Sequence, residues 1–121
     1  AYRLACAESP HLATSRSLRL QFLRAEHFQP GFAAHRLTQY FSTVQRLFGT
    51  HALGHDIRLS HFLPADFAAL RGGGIQHLAQ KDASGCPLLF MHEDTCRSSS
   101  PDSILKAALY ILDVMSREVR A

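Results

Sequence analysis

The segment that most restricts what this chain can become is its last. Ile104, Leu105, Ala108, Leu109, Ile111, Leu112, Met115 and Val119 recur at helical spacing behind Ser100-Pro101-Asp102. A capping side chain followed by proline opens a helix, because proline's fixed φ and missing N–H cost nothing in the first turn. At 3.6 residues per turn the apolar positions cover well over one face. Such a helix expects partners on two sides, and the sequence offers one obvious partner, an upstream β-hairpin. Apolar area left in water forgoes roughly 25 cal/mol per Å², which predicts partnering or aggregation.

That hairpin is read from Ile75 to Leu78 and Leu88 to His92, joined by Lys81-Asp82-Ala83-Ser84-Gly85. The linking residues bond their own backbone or accept positive φ. Two strands alone are marginal in water and expect further cover. A short helix over Leu63 to Arg71 precedes them and stops at Gly72-Gly73-Gly74. A phosphate-binding role does not suit these glycines. They follow a helix and precede a strand, the reverse of the order that aims amides at phosphate, and no Gly-Lys-Ser/Thr ending follows.

The first half reads as helical. Tyr2 to Ala7 is an apolar stretch halted by Ser9-Pro10. Thr14, Ser15 and Ser17 offer caps to a helix from about Ser15 to Glu26, with Leu18 and Phe22 on one face. Gln29-Pro30-Gly31 is a break. Beyond it Phe32, Leu37, Tyr40, Phe41, Val44, Leu47 and Phe48 form the stripe of a second helix, ended by Gly49. Two helices across a short Pro-Gly turn predict a helical hairpin. Thr50 to His61 loses its pattern and reads as a connecting loop.

Charge excludes some functions. Lys and Arg number 13 against 10 acidic residues, a net +3 with histidines neutral, and the arginines are spread through every segment. Nucleic-acid binders gather their basic residues on one face, so no nucleic acid is expected. An anionic membrane surface is compatible with +3. No run of 18 apolar residues predicts a membrane span. Three cysteines, Cys6, Cys86 and Cys96, are an odd number with no secretory signal, which points to reduced thiols and a cytoplasmic setting.

Chemistry-bearing clusters are thin. His51 and His55, with His61 nearby, and His92 with Cys96 have the spacing of zinc ligands on a helix. Gly54 and the loop reading work against the first group, and no Cys-x-x-Cys accompanies either, so no metal or other cofactor is expected. His92-Glu93-Asp94 with Cys96 has the residue types of a nucleophile and base. Three polar residues leaving a strand are more simply a solvated loop, and no Gly-x-Ser-x-Gly elbow is present. The chain is expected not to be an enzyme.

One resemblance extends this reading. The stretch from Leu18 to Pro30, centred on Phe22-Leu23-Arg24-Ala25, resembles the signature of the CRAL-TRIO amino-terminal helical domain. His35-Arg36-Leu37 through Tyr40-Phe41, Arg46-Leu47-Phe48-Gly49, the Lys81 to Phe90 turn with Asp82, Gly85 and Pro87, and Leu105 to Tyr110 follow in register. Cys86 stands where that family commonly has arginine. The resemblance implies a mainly α, α/β fold: an amino-terminal helical hairpin, then a β-hairpin and a long helix that begin a CRAL-TRIO lipid-binding domain. It divides the chain into a helical region and linker at 1–71 and the start of a lipid-binding domain at 72–121, truncated before the pocket is complete. It further implies non-covalent binding of a lipid, such as a phosphatidylinositol, or another hydrophobic molecule, with transfer between membranes. A cytoplasmic protein touching membrane surfaces transiently and peripherally is expected. Leu105, Ala108, Leu109 and Leu112 are the lipid-facing positions by this resemblance. The alternative is a small helical interaction module that docks a protein through the same last helix.

Overall fold

A computed structural model describes residues 1–120, with side chains as far as residue 118. The chain is mainly α-helical with one antiparallel two-stranded sheet. It divides into two compact units, Ala1–Asp56 and Ile57–Ala121.

The first unit contains helices α1 (Tyr2–Glu8), α2 (Pro10–Ala13), α3 (Arg16–Ala25) and α4 (Pro30–Phe48), then a 3-10 turn over Thr50–Gly54. Helix α3 starts where the Ser15 hydroxyl accepts the Leu18 N–H at 3.1 Å, the expected cap. Helices α3 and α4 form the predicted hairpin. The stripe on α4 is shifted from the sequence reading. Ala33, Leu37, Phe41, Val44, Leu47 and Phe48 are buried, whereas Phe32 is 64% exposed. The helical period explains the correction: Ala33 lies four residues before Leu37, on its face, while Phe32 lies five before it and points away. Tyr2 packs on Phe41 and Phe22 on Tyr40, with ring centroids 5.6 and 5.5 Å apart. Gly49 ends α4 at φ 92°, a conformation suited to glycine.

The segment 50–61 is not the plain loop its sequence suggests. Two 3-10 turns occupy it, Thr50–Gly54 and Leu59–His61, and Ala52, Leu53 and Ile57 are buried. Its apolar residues are too few to show a period but are placed to plug each unit's core.

The second unit comprises the Leu59–His61 turn, α5 (Pro64–Arg71), β1 (Ile75–Lys81), β2 (Pro87–Met91), α6 (Glu93–Arg97) and α7 (Pro101–Arg120). Strands β1 and β2 pair with Ile75 opposite Met91 and His77 opposite Leu89, and the register shifts between His77 and Lys81. The first strand runs three residues past its predicted end, and the second starts and stops one residue earlier. The Asp82 carboxylate accepts the Ser84 and Cys86 amides at 2.8 Å each, and Gly85 takes φ 82°, which closes the turn. Helices α5 and α7 pack together and α7 also packs on β1. Residues 93–97, read from sequence as a solvated loop, form a helical turn. The His92 ring accepts the Thr95 N–H at 3.2 Å, capping α6 as an aspartate would.

Candidate functional site

Helix α7 begins where the Ser100 hydroxyl accepts the Ser103 amide at 3.2 Å, with Pro101 in its first turn. Its two sides have opposite characters. Ser103, Lys106, Ala107 and Ile111 are buried. Leu105 is 36% exposed and Leu112 47%, with Ala108 and Leu109 half-buried between them. At about 100° per residue these last four fall within an arc of roughly 100°, centred nearly opposite the buried four. The four positions named by resemblance therefore share one outward stripe. The side chain of Val119, which the sequence adds to the same apolar band, lies outside the described residues.

The inner side is held by a polar cluster. The Lys106 ammonium donates to Asp66 Oδ2 at 2.8 Å, and the Ser103 hydroxyl donates to Asp66 Oδ1 at 2.7 Å. Oδ2 also accepts the Leu63 amide at 2.8 Å, which ties down the start of α5. Burial pushes the Asp66 carboxyl up, but the Lys106 ammonium, the Leu63 amide and the Ser103 hydroxyl outweigh it and hold it below its ordinary value of 3.8. Around this cluster Tyr110 meets Phe62 edge-on at 5.7 Å, and Phe62 packs on Phe67 at 5.5 Å. The Arg71 guanidinium lies over the Phe67 ring at 5.7 Å. Near the far end of α7, His77 Nε2 is 3.3 Å from Glu118 Oε2.

The sequence reading missed this cluster. Its signal was present: Lys106 and Ser103 interrupt an apolar helix, and Asp66 sits in the first turn of α5, two residues after Pro64. Nothing local connects residues 37 and 40 positions apart.

The histidine and cysteine clusters do not assemble. Among the described residues no group of three His, Cys, Asp or Glu side chains is placed to hold a metal ion. His92 Nδ1 is 2.8 Å from the Thr95 hydroxyl, and the Cys96 thiol donates to the Gly74 carbonyl at 3.4 Å. Their spacing serves local packing. Gly74 is required there, because a Cβ would stand 2.9 Å from the Cys96 sulfur. The three cysteines are free thiols.

In the first unit, Tyr2, Arg19, Phe22, Leu23, Ala33 and Leu37 help line an apolar cleft of about 250 Å³. That is below the ~300 Å³ at the small end of ligand pockets. It has room for a fragment, not for a lipid.

No described helix is long and apolar enough to cross a membrane. No protein-family model, curated protein or solved structure matches the chain.

Proposed function

We propose that the chain binds a lipid or another hydrophobic small molecule without covalent chemistry, along the outward stripe of α7, and passes it between membranes. The single observation that carries the reading is the stripe itself. Leu105, Ala108, Leu109 and Leu112 form a row of side chains opposite the helix's packed side, and Leu105 and Leu112 keep a third to a half of their surface in water. A soluble helix gains nothing from such a row unless something covers it. The ordered resemblance to the CRAL-TRIO pattern names the class of occupant, and apolar burial with few polar contacts is how such ligands are held.

The test is lipid extraction of the purified protein with mass spectrometry of what it retains. A lipid in near-stoichiometric amount is expected, with uptake of a fluorescent lipid from donor vesicles. Protein that purifies lipid-free and takes up none would overturn the reading, above all if it bound a second protein through α7 instead.

A further inference from the structure

We propose that the tip of the α3–α4 hairpin is a membrane-docking knob, in which Phe28 and Phe32 enter an anionic lipid surface while Arg24 and Arg36 beside them engage its headgroups. The proposal goes beyond ligand binding by α7 and does not rest on it.

The backbone at the tip is the first observation. Helix α3 ends in a Schellman-type closure, with the Phe28 amide donating to the Leu23 carbonyl at 2.7 Å. The left-handed residue of that closure is normally glycine. Here two consecutive side-chain-bearing residues occupy the region, His27 at φ 52° and Phe28 at φ 62°. Histidine is tolerated there, whereas a bulky aromatic is an outlier. Each such residue costs on the order of 1 kcal/mol and persists only when its surroundings enforce it. The pairing of Arg36 with Glu26 supplies part of that enforcement, tying the end of α3 to the second turn of α4.

The cost gains no burial, which is the second observation. Phe28 is 62% exposed and Phe32 64%, the most exposed large apolar side chains of the first unit, well ahead of Leu4. With Pro30, Gly31 and His35 they rim one open depression. A side chain built on Gly31 would meet nothing within 4 Å. A strained turn therefore presents two aromatic rings to solvent.

The third observation selects the occupant. Residues 15–49 hold five arginines, Arg16, Arg19, Arg24, Arg36 and Arg46, against a single acid, Glu26, and all five are exposed. The rest of the chain holds eight basic residues against nine acidic. The whole positive excess thus belongs to the hairpin that carries the two rings. Arg24 and Arg36 lie close to the rings, whereas Arg19, Arg16 and Arg46 stand about 10–25 Å along the helix axes. The first two can therefore meet headgroups, while the others add only longer-range attraction. Rings with basic neighbours match the boundary of a bilayer with negative headgroups, where rings settle at headgroup depth and each basic residue near the surface adds attraction. A single ring or a few charges binds weakly; the two together are what reversible membrane association requires.

The chain has no tryptophan, so Phe28→Trp gives a sole reporter at the knob and Leu112→Trp gives one on α7. Both proteins are titrated with phosphatidylcholine vesicles, with and without about a third phosphatidylserine. Phe28→Trp is expected to shift its emission to the blue only with the anionic vesicles, and brominated acyl chains should quench it. In co-sedimentation, Phe28→Ala/Phe32→Ala should lower vesicle binding about tenfold or more, with an unchanged melting curve because both side chains are exposed. Fluorescent-lipid uptake by α7 is read separately, so either proposal can fail alone. Equal binding to neutral vesicles, no binding by the unaltered chain, or a blue shift confined to Leu112→Trp would each overturn the knob.

Discussion

Removing either Asp66 or Lys106 leaves the other charge buried and deprived of its ion pair. Truncating one partner of a buried ion pair costs about 3–5 kcal/mol, whereas replacing both with apolar side chains is often close to neutral. Asp66→Ala should therefore fall in that range in urea unfolding, and Asp66→Leu/Lys106→Met should recover most of the loss. A double variant no more stable than Asp66→Ala would show that the cluster does not act as a unit. The pH dependence has a definite sign. The folded carboxyl titrates below its ordinary 3.8, so its contribution is complete above that pH and is lost as pH falls through the lower folded value. Unfolding free energy followed from pH 6 downward should lose this contribution only below about pH 4, and Asp66→Asn should flatten that part of the curve. At the tip of the hairpin, His27→Gly relieves a left-handed residue. It should raise stability by about 0.5–1 kcal/mol, read as a higher urea midpoint at constant slope.

At the level of elements, α7 is the one whose sequence said most. Its start at Ser100-Pro101 and its excess of apolar positions were both legible, because capping and periodicity are local signals. Which apolar positions would pack and which would face water was not legible, since that depends on where α5 and β1 lie. The Asp66 cluster was hidden for the same reason, and its partners come together only in the folded unit. Helix α6 was hidden differently. Five residues are too short to show a period, and its cap is a histidine where Ser, Thr, Asp or Asn is looked for. The division of α7 makes an unusual prediction. Leu112→Asp and Leu105→Asp, at half-covered positions, should cost about 1–2 kcal/mol of stability without unfolding the second unit, yet reduce lipid uptake at least tenfold. Ile111→Asp, one residue away on the packed side, should unfold the second unit. If Leu112→Asp were as damaging as Ile111→Asp, the outward assignment of the stripe would be wrong.

For the molecule as a whole, net charge hides its own distribution. A spread of arginines through every segment was a fair reading of the positive residues, but the asymmetry lies in the acids, nearly absent from 15–49. Counting both signs by segment would have shown it. Two variants with equal net charge make the point testable. Arg19→Gln/Arg24→Gln should weaken anionic-vesicle binding severalfold, while Arg3→Gln/Arg58→Gln should leave it nearly intact. The outward stripe of α7 has a thermodynamic counterpart as well. Side chains already in water when the chain is folded contribute no new hydration when it unfolds. A chain of 121 residues ordinarily gains about 1.5–1.8 kcal/mol/K of heat capacity on unfolding. The partly exposed stripe withholds only on the order of 0.1 kcal/mol/K of that figure. It is therefore read by comparing ligand-free with loaded protein, the loaded form showing the larger heat capacity and the steeper urea slope. That difference on loading measures the surface the protein keeps open for its occupant.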